Sequence, residues 1–62
     1  MNVIIIEDEK LAAEYLRGLI QRYDPRISVI FEADSVKKAV QWFDAGGKPD
    51  LAFFDIQLAD GL

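Results

Sequence analysis

The chain has 62 residues, 52% of them hydrophobic, with four Gly, two Pro and a net charge of −4. That hydrophobic content excludes disorder, the length leaves room for one globular unit, and the absence of Cys and His excludes disulfides and zinc clusters. The seven Lys and Arg are scattered rather than clustered, so no basic patch points to nucleic acid or an anionic membrane.

The amino-terminal stretch Met1-Asn2-Val3-Ile4-Ile5-Ile6-Glu7 lacks the basic start and long apolar centre of a signal peptide. No apolar run approaches the ~20 residues of a membrane span, and the reading is of a cytoplasmic protein with no membrane partner. Val3–Ile6 is a run of β-branched residues, too short for a helix and too uniformly apolar for a strand with one wet face. It is expected to be a central strand covered on both sides. After Glu7-Asp8-Glu9 the period changes: Leu11, Ala12, Tyr15, Leu16, Leu19, Ile20 and Tyr23 recur at three and four from Lys10 onward, the pattern of an amphipathic helix. Asp24-Pro25 stops it, because Pro disfavours helical geometry in the residue before it.

Ile27–Ala33 is rich in β-branched residues but less continuous, which predicts a strand nearer the sheet edge. Asp34-Ser35 offers an N-cap to a second helix over Val36–Asp44. Its expected buried stripe is Val36, Ala39, Val40 and Phe43, with Trp42 half covering the rim, and Ala45-Gly46-Gly47 ends it. Lys48-Pro49 then turns into an apolar third strand, Leu51-Ala52-Phe53-Phe54, closed by Asp55. The order βαβαβ with short connections implies parallel strands and right-handed crossovers. Because Val3–Ile6 is apolar on both faces, the strand order 2-1-3 is favoured, with one helix on each face.

In that order the carboxyl-terminal ends of strands one and three lie side by side, about 4.8 Å apart, and Glu7, Asp8 and Asp55 converge. Converging carboxylates repel one another unless a cation joins them, and a hard ion such as Mg²⁺ suits an all-oxygen site. With Mg²⁺ in place, Asp55 can act as nucleophile toward a phosphoryl group. The plainer readings stand beside this: Glu7 and Asp8 as a helix-start charge pair, and Asp55 as a cap on the following turn.

Ile4-Ile5-Ile6-Glu7-Asp8-Glu9, with Lys48-Pro49-Asp50-Leu51-Ala52-Phe53-Phe54-Asp55-Ile56-Gln57-Leu58 and Asp60-Gly61, resembles the first half of a two-component response-regulator receiver domain, over the whole chain. Asp-Ile-Gln-Leu followed by Asp-Gly-Leu is most similar to receivers that precede LytTR-type DNA-binding domains. The resemblance implies half of a flavodoxin-like doubly wound sheet. It also implies Glu7 and Asp8 as the Mg²⁺-holding pair, Asp55 as phosphoacceptor and Gln57 as donor of a backbone carbonyl to the metal. It further implies a histidine kinase as phosphoryl donor and a signalling domain rather than an enzyme, with DNA reached only through an output domain beyond these residues. Three departures stand out. Glu7 occupies a position where Asp is commoner, the Pro usual after the phosphoacceptor loop is absent with Ala59 nearby, and the chain stops at Leu62 where a receiver is about twice as long. The expectation is a truncated receiver domain over residues 1–62, lacking the Ser or Thr and the Lys that contact the phosphoryl group, and therefore slow to be phosphorylated.

The alternative is a self-associating half-module without phosphotransfer. A chain this short buries only about 60% of its unfolded surface, and a third strand patterned for burial but unpaired on one side is a template for another chain. A homo-oligomer through Leu51, Ala52, Phe53 and Phe54 is expected on that ground.

Overall fold

The computed structural model describes residues 1–55, with the backbone alone for Asp55. It contains strand β1 (Asn2–Glu7), helix α1 (Lys10–Tyr23), strand β2 (Ser28–Ala33), helix α2 (Val36–Asp44) and strand β3 (Leu51–Asp55). The three strands form one parallel sheet in the order β2-β1-β3. This is the α/β architecture, and the 2-1-3 order, that the doubly apolar first strand predicts, consistent with half of a flavodoxin-like fold.

Alternation along β1 explains why both faces need a helix. Val3, Ile4, Ile5 and Ile6 are all 0% exposed, and successive side chains of a strand point to opposite faces. Ile5 packs with Ala13 and Ile20 of α1, joined by Leu16, Ile27, Val29 and Phe53. Ile4 and Ile6 pack on the other face with Ala33 and with Ala39 of α2, joined by Phe31 and Trp42.

The pairing of β1 with β2 shifts between Val3 and Ile4, so that Val3 faces Val29 while Ile4 faces Phe31, and Ile30 is left over. An extra residue of this kind reverses which face the following side chains take. Val29 therefore goes to the α1 side, whereas Phe31 goes to the α2 side and stacks on Trp42 with ring centroids 5.1 Å apart. The start of the sheet is tied at both edges: the Ser28 N–H donates to the Met1 carbonyl at 2.9 Å, the Asp50 N–H to the Asn2 carbonyl at 2.7 Å, and the Asn2 N–H to Asp50 Oδ2 at 2.7 Å.

The helix ends follow local chemistry. Ser35 caps α2, its Oγ accepting the Lys38 N–H at 3.2 Å. Gly46 takes a positive φ of 102°, a region open to Gly at little cost. Gly47 is required for a different reason: a Cβ there would sit 2.4 Å from the Trp42 indole.

The helical stripes read from the sequence differ from the faces that the helices bury: both are wider, and on α1 the stripe names Ala12 where Ala13 is the buried residue. On α1 the buried residues are Ala13 and Ile20, with Leu16 packed beside them, whereas Leu11, Tyr15, Leu19 and Tyr23 are exposed. Ala13, Leu16 and Ile20 are spaced i, i+3, i+7 and pack with Ile5, Val29 and Phe53; Leu19 and Tyr23 border a cavity with Leu51 and Phe53 of β3, and Leu11 and Tyr15 are exposed. On α2 only Ala39 is buried, and Val36, Val40 and Phe43 are exposed. There the small Ala39 lets the helix approach the sheet, and the neighbouring Trp42 rather than Phe43 supplies the larger contact. Among the described residues, no helix is long and apolar enough to cross a membrane.

Candidate functional site

The β2-β1-β3 order puts the switch point of the sheet at the carboxyl-terminal ends of β1 and β3, where open α/β sheets bind ligands. The register there runs Ile5 to Phe53, Ile6 to Phe54 and Glu7 to Asp55. The last residue of the buried central strand is thus a carboxylate, and its direct neighbour on β3 is another acidic residue.

Glu7 is 6% exposed and is the one buried charged residue among those described. Its Oε1 accepts the Glu9 N–H at 3.0 Å, satisfying one of the donors near the amino end of α1, for which Glu9 is the N-cap without a side-chain cap bond. This bond lies just ahead of α1, whose first turn contains no acidic residue. Asp8 is exposed in the bend between β1 and α1.

The mouth extends further toward β2 than sequence reasoning indicates. A cavity of about 250 Å³ is lined by Glu7, Asp8, Lys10, Ala13, Glu32, Ala33, Asp34 and Lys38. Two of its acidic residues have cationic partners: Asp34 pairs with Lys38 at 3.0 Å, and Glu32 pairs with Arg17 of α1 at 2.7 Å. The signal for these residues lies in the strand order itself, because β2 flanks β1 just as β3 does, and Ala33 stands opposite Ile6.

Of the site residues predicted from the sequence, Glu7 and Asp8 are adjacent at the end of β1, and the backbone of Asp55 lies beside Glu7. The Asp55 side chain and Gln57 lie outside the described residues. Among the described residues, no group of three or more carboxylates is arranged to hold a metal ion. The donor chemistry of Glu7 and Asp8 nonetheless fits a hard cation: both offer only oxygen, and Mg²⁺ is commonly held by one or two carboxylates with water completing the shell. A carboxylate accepts at about four lone-pair sites, so the bond to the Glu9 N–H is compatible with coordination.

Comparison with known proteins decides the family. The chain is 43% identical over 60 residues to the sensory transduction protein LytT of Enterococcus faecalis, and 38% identical over 60 residues to the sensory transduction protein LytT of Bacillus anthracis. Both alignments take in 97% of this chain. The chain is part of a response-regulator receiver region. It spans 24% of the length of each of these relatives. No family model matches the chain, and no solved structure matches it. Within this receiver region, the acidic end of β1 and its Asp55 neighbour on β3 occupy the crevice that its topology singles out.

Proposed function

We propose that the chain is the amino-terminal part of a phosphoacceptor receiver domain in a two-component response regulator of the LytTR type. In this reading Asp55 accepts a phosphoryl group from a histidine kinase in the cytoplasm. The observation that carries the reading is the register pairing of Glu7 with Asp55 at the switch point of a parallel sheet. Similarity to two sensory transduction proteins supports it.

Glu7, Asp8 and Asp55, with the Gln57 carbonyl, would hold Mg²⁺. Bound there, the ion neutralises charge that develops on the transferring phosphoryl oxygens. The residues of the chain contribute position. Glu7 is fixed by burial and by the Glu9 N–H, while Asp8 is exposed and accessible to a hydrated ion. The Asp55 backbone is held in the sheet one strand away. Phosphoryl transfer asks mainly for positioning and charge stabilisation, so a nucleophile on a rigid strand beside an acidic pair suits a signalling domain that takes up a phosphoryl group and alters its contacts with an output domain.

Labelling by radioactive acetyl phosphate tests this. Incorporation is expected with Mg²⁺, and loss of it with EDTA or in Asp55→Asn; equal labelling of Asp55→Asn would contradict it.

A second reading has its own observation. β3 has no strand on its outer side among the described residues, and Leu51 and Phe54, on opposite faces, are both exposed. An apolar strand uncovered in this way favours self-association through Leu51, Ala52, Phe53 and Phe54.

A further inference from the structure

The cavity at the carboxyl-terminal end of the sheet is lined by four carboxylates, Glu7, Asp8, Glu32 and Asp34, whereas a hydrated Mg²⁺ ion commonly takes one or two. Glu32 stands opposite Ile5 in the register of β1 with β2, and its side chain meets α1, the helix that covers the Ile5 face. Glu7, two residues beyond Ile5, leaves the sheet on that same face by alternation. Strand spacing of about 4.8 Å and a rise of about 3.3 Å per residue put the Cα atoms of Glu7 and Glu32 about 8 Å apart, close enough for both carboxylates to reach one hydrated ion. Arg17 of α1 stands in the way, its Nη1 bonded to Glu32 Oε2 at 2.7 Å. We propose that Arg17 is a positioning residue for the divalent cation: by occupying Glu32 it withholds that carboxylate and confines the ion to the Glu7 and Asp8 side of the mouth. The inference rests on the Mg²⁺ reading of Glu7 and Asp8 above.

Three observations favour this role. The pair joins residues 15 apart, from α1 to β2, and both belong to the unit Asn2–Ala33, so it is made wholly within the described residues. Its side chains are 44% and 32% exposed, and a pair so placed adds little to the stability of the fold; its larger consequence is for the charge facing the cavity, because a guanidinium stays protonated at any working pH. Finally, the pairing is selective. Among the described residues Asp8 has no ion pair, while Glu32 and Asp34 each have one, the Asp34 bond to Lys38 being a local contact between side chains 60% and 63% exposed. A unit charge about 8 Å from a divalent ion changes its affinity roughly fivefold at the dielectric of water and low ionic strength, and less in physiological salt.

Calorimetric titration with Mg²⁺ at low ionic strength, with urea unfolding as the check on the fold, tests this. Arg17→Gln is expected to bind roughly fivefold more tightly than the wild type, Arg17→Lys to bind as the wild type does, and Arg17→Gln with Glu32→Gln to return to the wild-type affinity. The carbon NMR shift of the Glu32 carboxylate is expected to move on adding Mg²⁺ to Arg17→Gln and to stay in place in the wild type. Unchanged affinity in Arg17→Gln with a lowered urea midpoint would leave the pair as a tie between α1 and β2 and overturn the proposal. So would tightening that persists when Glu32 is also replaced, or a Glu32 shift that moves equally in the wild type. A wild type that binds no Mg²⁺ overturns the metal reading together with this one, whereas wild-type binding that Asp8→Asn abolishes and Arg17→Gln leaves unaltered overturns this one alone.

Discussion

Gly47→Ala isolates one packing contact and gives it a size. A Cβ at this position would lie 2.4 Å from two carbons of the Trp42 indole and 2.6 Å from a third, whereas carbon atoms approach favourably only to about 3.5 Å. The indole must therefore move by about 1 Å or the Gly46-Gly47 turn must open. Trp42 is stacked on Phe31, interplanar angle 12°, and the two lie against the Ile4, Ile6, Ala33 and Ala39 cluster. Overpacking of a fitted site costs typically 1–3 kcal/mol, and a lost aromatic pair adds about 0.5–1.5 kcal/mol. The expected destabilisation is about 2–4 kcal/mol, a large share for a domain of this size. Urea unfolding followed by the fluorescence of the single Trp measures it. The cost should nearly vanish when Gly47→Ala is made in a Trp42→Ala background, since the clash partner is gone. A Gly47→Ala chain with an unchanged midpoint, or with the same cost in both backgrounds, would refute the reasoning.

Asp8→Asn should abolish Mg²⁺ binding by calorimetry and raise the urea midpoint of the metal-free chain, because it removes a like charge next to Glu7; a lowered midpoint would assign Asp8 to the helix start instead. Ser35→Ala removes the bond to the Lys38 N–H and should cost about 1 kcal/mol in urea unfolding. The Arg26 guanidinium, and then the Arg26 N–H, hold the Asp24 carboxyl below its ordinary range. Its contribution to stability is thus complete above the ordinary carboxylate pKa and is lost as pH falls through the lowered folded value. Arg26→Ala should raise the Asp24 titration midpoint seen by NMR and shift acid unfolding to slightly higher pH, the effect being small for an exposed pair.

The parts of the fold legible in the sequence are those where one residue type has one structural use. Four β-branched residues at Val3–Ile6 point to a doubly covered strand, and that requirement favours the 2-1-3 order that the sheet has. Ser35 and the Ala45-Gly46-Gly47 stop give α2 its observed limits, Val36–Asp44. The helix faces were less legible, because apolar residues occupy more of α1 than the sheet covers: Leu11 and Tyr15 fit the period as well as Leu16 and Ile20 do, and only the position of α1 over β1 and β2 separates them. The shift opposite Val3 and Ile4 was not legible at all, since Ile30 is as apolar as Val29 and Phe31 on either side of it. At the site, the acidic pair and its β3 neighbour could be read from strand order. Glu32, Asp34 and their partners Arg17 and Lys38 could not, because each looks like an ordinary surface charge until β2 is set beside β1.

The central claim is that one carboxylate among the eleven acidic residues of this chain, Asp55, is a phosphoacceptor. Reduction with borohydride converts an acyl phosphate of aspartate to homoserine, which peptide mapping locates. After incubation with acetyl phosphate and Mg²⁺, homoserine is expected at position 55 and nowhere else, and not when Mg²⁺ is omitted. Homoserine spread over other acidic positions, or its absence at 55 under conditions where the chain is folded and Mg²⁺ is bound, would contradict the claim.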